Sequence, residues 1–175
     1  VYVDKSGPAT MAIGVPGAFT LDVQNAGTGT AWNLTLVDQL PDVAAGGTCG
    51  TAPTVVSAQV FQSNGTTPVS GPLVAGTDYS VTFVPAPTCE LQLAMLSAAA
   101  AVGPTERLIV TYQTSLDTDT QDGAVLVNVA GATEWFSADA ADPGGALRRT
   151  YTRTLTNGTV LTTDHEDAHT VNVSL

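Results

Sequence analysis

Apolar and polar residues alternate along most of this chain with a period of two, the signature of strands that bury one face and wet the other. The clearest case is 31–41, A-W-N-L-T-L-V-D-Q-L-P. Trp32, Leu34, Leu36, Asp38 and Leu40 share one face, and Asn33, Thr35, Val37 and Gln39 the other. The same pattern predicts strands over 1–5, over 18–25 with Phe19, Leu21 and Val23 inward, and over 54–61, 77–84, 106–116, 124–136 and 168–175. Residues 42–53 read as a Gly-rich loop and 91–96 as a strand or the start of a helix. The Ala-rich stretch 95–102, closed by Gly103-Pro104, is the one convincing helix candidate. Asn157-Gly158 predicts a hairpin over 147–163, and 164–167 reads as a loop. About ten strands with frequent turns predict an all-β, antiparallel immunoglobulin-like sandwich, one domain over 1–175 with 147–163 as an extra C-terminal hairpin.

The inward parity of Asp38 is the anomaly. Burying a lone carboxylate costs several kcal/mol or forces it to take up a proton, so a partner is expected. Lys5 is the only lysine. Asn128 sits within V-L-V-N-V-A, a strand apolar on both sides, where a carboxamide needs hydrogen-bond partners.

Composition narrows the function. With 16 Asp and Glu against 5 Lys and Arg, the net charge is −11. That disfavours nucleic acid and anionic membrane surfaces, both of which call for basic patches. No stretch is long enough to span a bilayer and none reads as a signal peptide, so the chain reads as a mature protein or a module of a longer one. Cys49 and Cys89, both in loop-like settings, read as one disulfide in preference to two free thiols, which implies an oxidising, extracellular compartment. Asp117, Asp119 and Asp122, closed by Gly123, form a candidate calcium loop without the distal Glu of an EF-hand. Polar turns that stop strands explain the same residues, so no cofactor is required and calcium is the only candidate. Asp139, Asp142, Asp164, Glu166 and Asp167 are the other acidic positions that could supply a cation site. His165 and His169 read as exposed or structural. Asn33, Asn64, Asn157 and Asn172 each begin an N-x-S/T sequon, which matters only in a glycosylating host. No G-x-S-x-G, Ser/His/Asp set or carboxylate pair marks a hydrolase, and the chain does not read as an enzyme.

Several segments together resemble the isopeptide-forming domains of bacterial pili and surface adhesins of the collagen-adhesin A type, and the related conserved-repeat surface domain. They are the Lys5 strand at 2–5, G-A-F-T-L-D-V-Q-N-A-G at 17–27, A-W-N-L-T-L-V-D-Q-L-P at 31–41, L-I-V-T-Y-Q-T-S-L-D at 108–117 and V-N-V-A at 127–130. The resemblance implies a side-chain amide between Lys5 and Asn128, promoted by Asp38, with Asp22 and Glu134 as second choices for the acid. It implies a structural module on the bacterial cell surface whose partners are neighbouring domains of a longer protein and an unidentified surface ligand. The 147–163 hairpin and the cysteines fall outside the pattern. Two other functions compete: a calcium-dependent or ligand-binding adhesin sandwich without a crosslink, and a subunit joined to its neighbours by strand exchange.

Overall fold

A computed structural model describes residues 1–142, 148–156 and 164–175. Its strands are β1 (Tyr2–Ser6), β2 (Thr10–Met11), β3 (Gly17–Gln24), β4 (Trp32–Gln39), β5 (Asp42–Val43), β6 (Gly46–Gly47), β7 (Thr54–Phe61), β8 (Tyr79–Val84), β9 (Glu90–Met95), β10 (Arg107–Thr114), β11 (Val125–Phe136), β12 (Thr150–Thr152) and β13 (Glu166–Val173). The fold is the predicted immunoglobulin-like sandwich. One sheet runs β1-β3-β10-β7 and the other β2-β13-β11-β4-β9-β8, with β12 against the end of β11. All pairings are antiparallel except the short β2–β13 contact.

Period two builds the core. Val3, Phe19, Leu21, Val23, Val60, Leu108 and Val110 of the first sheet, and Leu34, Leu36, Leu91, Leu93, Leu126 and Val171 of the second, are all buried in one cluster. Into this apolar layer the same alternation sends four polar groups. Lys5 follows Val3 on β1, Tyr112 follows Val110 on β10, Asp38 follows Leu36 on β4, and Asn128 follows Leu126 on β11; all four are buried. Registers bring them level: Lys5 lies opposite Leu21, Leu21 opposite Val110, and Tyr112 opposite Phe19. In the other sheet Asp38 lies opposite Ala130, two residues beyond Asn128.

Three expectations need correction. The helix over 95–102 is absent: Met95 ends β9, paired with Tyr79, and only Ala98–Ala100 make a short 3₁₀ turn. Val102 is held by reciprocal backbone hydrogen bonds to Ala31. Sheet pairing at both ends leaves too few residues to repay helix nucleation. Glu166 and Asp167, read as loop, begin β13 opposite Gly131 and Ala130. Within 42–53, read as loop throughout, β5 and β6 form a two-residue ladder. Of the 147–163 hairpin, 150–152 pair with Glu134–Phe136 of β11, and the Asn157-Gly158 turn lies outside the described residues.

Cys49 and Cys89 are joined in a disulfide across a sequence separation of 40. It ties the β6 loop to the residue before β9, whose carbonyl accepts the Leu40 amide at the end of β4. A loop of that size is worth about 4 kcal/mol in the chain-entropy model. Replacing both cysteines with serine is therefore expected to lower the unfolding free energy by about that much, read as a shifted urea midpoint.

Candidate functional site

The four inward polar groups meet between the sheets. Lys5 Nζ donates to Asp38 Oδ2 at 2.6 Å and to Tyr112 Oη at 2.9 Å. Tyr112 Oη donates to the same Asp38 oxygen at 2.7 Å, and Asn128 Nδ2 donates to Tyr112 Oη at 2.9 Å. The side chains of Lys5 and Asp38 are both 0% exposed. The ammonium also lies 5.0 Å from the ring centroids of Phe19 and Tyr112, which stack on each other. Sequence reasoning singled out Lys5, Asp38 and Asn128, and the structure brings them into one hydrogen-bonded cluster.

Two acceptors in the cluster have no partner: Asp38 Oδ1 and Asn128 Oδ1. Buried oxygens of this kind are costly and uncommon. A proton on Asp38 Oδ1 would turn one of these acceptors into a donor, the group that a polarised carboxamide oxygen needs.

Burial sets the electrostatics. Desolvation pushes the Lys5 ammonium below its ordinary value of 10.5, opposed by the charge and hydrogen bond of Asp38. An amine must shed its proton to become a nucleophile, so desolvation acts in the direction that chemistry requires. Desolvation, reinforced by the Asp38 charge, holds the Tyr112 phenol protonated well above its ordinary 10.0. The unfolded chain then releases this proton first as pH climbs past 10, so the folded state loses stability there. Tyr112→Phe is expected to remove that part of the alkaline slope in melting temperature.

The surrounding elements fix the cluster. The Lys5 backbone amide donates to Asp167 Oδ2 at 2.7 Å, anchoring β1 to β13. His169 Nε2 lies 2.8 Å from the Pro8 carbonyl and its ring packs edge-on to Phe19, while the ring of His165 faces Asp164 and the Thr154 carbonyl. Neither histidine touches the cluster's hydrogen bonds. The Asn25 of the N-A-G segment makes a turn: its Nδ2 donates to the Gly29 and Val102 carbonyls and its Oδ1 accepts the Gly27 amide. Of the second-choice acids, Asp22 pairs with Arg107 and Glu134 lies half-buried on β11.

The acidic loop is used internally. Asp117 accepts the Cys49 and Gly50 amides, and Asp122 accepts the Leu175 amide. Among the described residues the one converging set of three metal-ligand types is Asp42 with Cys49 and Cys89, whose sulfurs are in the disulfide.

Sequence reasoning did not place Tyr112 at this site, nor Asp167, which it offered only as a cation-site acid. Tyr112 carried a signal, since it continues the inward parity of Leu108 and Val110. Asp167 carried none, because its neighbours read as a loop.

No protein-family model and no curated protein sequence matches the chain. Solved structures do. The Actinomyces fimbrial adhesin FimA aligns over 97% of this chain and 56% of its own, at 13% identity and a TM-score of 0.52. The Enterococcus faecalis surface protein ACE aligns over 99% and 51%, at 10% and 0.51. Domains D2 and D3 of the major pilin SpaD from Corynebacterium diphtheriae align over 87% and 50%, at 12% and 0.51. This chain therefore shares the fold of bacterial adhesin and pilin domains. It spans about half the length of these three solved chains. Among the described residues no helix is long and apolar enough to cross a membrane.

Proposed function

We propose that the chain is an extracellular structural module of a bacterial surface or fimbrial adhesin, locked by an isopeptide bond that forms between Lys5 and Asn128 under the influence of Asp38. The observation that carries this reading is the sole lysine, fully buried and hydrogen-bonded to Asp38, with Asn128 one hydroxyl away. A lysine serving solubility would not be placed there.

The chemistry follows from the groups present. A proton passes from the Lys5 ammonium to Asp38, leaving a neutral amine and a carboxylic acid. The amine lone pair attacks Asn128 Cγ, and the carbonyl electrons move to Oδ1, which takes the proton from Asp38. A proton then moves from the Lys5 nitrogen to Nδ2, and collapse of the tetrahedral adduct breaks the Cγ–Nδ2 bond, expels ammonia and returns the Oδ1 proton to Asp38. No oxidant or cofactor is needed. Holding amine and carboxamide in one dry pocket is the main acceleration, because effective molarities of oriented groups reach on the order of 10⁵ M or more.

Lys5 and Asn128 belong to opposite sheets, so the bond would staple the sandwich through its core. A loop from residue 5 to 128 is worth about 5 kcal/mol in the chain-entropy model, transferred from disulfides. Peptide mapping tests the connection. The fragments containing Lys5 and Asn128 are expected as one branched species, absent from Lys5→Ala; two separate linear fragments from the native chain would refute it. A ligand-binding module without a crosslink is the competing function, and it predicts those separate fragments.

A further inference from the structure

We propose that Tyr112 is a second catalytic residue of the crosslinking reaction beside Asp38, a hydroxyl relay that carries a proton from the attacking nitrogen of Lys5 to the departing nitrogen of Asn128. The inference rests on the isopeptide reading above and extends it. Ammonia cannot leave until Nδ2 gains a proton, and the new amide cannot form until the Lys5 nitrogen loses one. In the adduct Asp38 is a carboxylate again, but its hydrogen bonds are to Lys5 and Tyr112 and Nδ2 is bonded to Tyr112, so transfer between the nitrogens needs a carrier that reaches both.

Tyr112 Oη is the atom that touches both nitrogens, at 2.9 Å each. A phenol has one proton and two lone pairs. Both nitrogens arrive as donors, so they occupy the lone pairs, and the single O–H is directed at Asp38 Oδ2, 2.7 Å away. Every valence of the hydroxyl is thus spent on the three reacting partners.

In the adduct the Lys5 nitrogen is a secondary ammonium. Nδ2 is no longer a planar amide nitrogen but an amine with a lone pair. The Tyr112 O–H turns from Asp38 to Nδ2 and gives its proton there while Oη takes one from the Lys5 nitrogen, so the phenol is unchanged and one proton has moved between nitrogens. The Cγ–N bond then breaks with its electron pair leaving on ammonia. The exchange never requires a free phenolate, consistent with a site where burial disfavours that ion. The ring is braced for the task by its stack on Phe19, centroids 5.4 Å apart.

The test is the rate of ammonia loss from freshly synthesised chain, followed by intact mass in wild type, Tyr112→Phe and Lys5→Ala. Tyr112→Phe keeps the ring and removes only the hydroxyl. The expected result is a 10²–10⁴-fold slower loss, about the usual worth of a positioned acid–base group, with Lys5→Ala showing none. Wild-type and Tyr112→Phe rates that coincide would overturn the relay and leave the crosslink standing. No ammonia loss in wild type would overturn both. Lys5→Ala/Tyr112→Phe, which cannot crosslink, is the folding control and should still melt cooperatively, below Lys5→Ala because the phenol's hydrogen bonds to Asp38 and Asn128 are lost. Should that control unfold, a fluorotyrosine at residue 112, which keeps ring and hydroxyl but makes the phenol a stronger acid, decides: a changed rate of ammonia loss upholds the relay, and an unchanged rate overturns it.

Discussion

Asp38→Ala is expected to prevent ammonia loss and to destabilise the domain beyond what the missing crosslink explains. The reference is Asn128→Ala, which also cannot crosslink but keeps Lys5 paired with Asp38 and Tyr112. Relative to it, Asp38→Ala should unfold more easily by about 3–5 kcal/mol, the cost of leaving one member of a buried ion pair alone. Lys5 is fully enclosed and, among the described residues, no other carboxylate hydrogen-bonds its ammonium, so without Asp38 it must stay charged in an apolar core or give up its proton, and either costs stability. Replacing both members with apolar residues, Lys5→Met with Asp38→Leu, should recover most of that loss, because buried pairs often tolerate apolar replacement. Urea melts of the three variants check this. If Asp38→Ala melts like Asn128→Ala, the ion pair is not what holds the site; if it still loses ammonia, Asp38 is not the promoter.

The second large effect is mechanical. If residues 5 and 128 are joined, a pull on the two ends can extend only residues 1–4 and 129–175, roughly 170 Å at ~3.4 Å per residue. In Lys5→Ala the whole chain yields except the segment held between Cys49 and Cys89, 40 residues apart. Its extension should be roughly 460 Å, rising to roughly 600 Å on reduction. The disulfide lies wholly inside the larger loop, so reduction should leave the wild-type extension unchanged. Single-molecule force extension under oxidising and reducing conditions reads all four lengths. A wild-type extension that grows on reduction would show that load reaches the 49–89 segment and that the staple is missing.

Much of this site was legible in the sequence because strand parity is a strong constraint. The alternation through Leu34, Leu36 and Asp38 assigns a face to the carboxylate before any coordinates exist, and Leu126 and Ala130 do the same for Asn128. What parity cannot supply is the partner across the sandwich. An inward Tyr112 is indistinguishable from an ordinary core aromatic until β10 is seen to lie across from Asp38 and Asn128. Parity also fails at strand ends. Trp32 was expected on the inward face but is only half-buried, because Asn33 adopts φ 47° and its side-chain oxygen accepts the Ala140 amide and an Arg148 N–H. The helix expected over 95–102 failed for a related reason: alanine propensity is a weak local preference, and pairing of Met95 with Tyr79 and Val102 with Ala31 outweighs it.

The claim on which the account depends is that a bond joins the two sheets through the core. Intact mass of the purified chain, with and without reductant, tests it most directly. The reduced protein should fall short of its sequence mass by one ammonia, and the unreduced protein by a further two hydrogens. A reduced mass equal to that of the sequence would contradict the crosslink, leaving Lys5 and Asp38 as a buried ion pair in a sandwich held by packing and a disulfide alone.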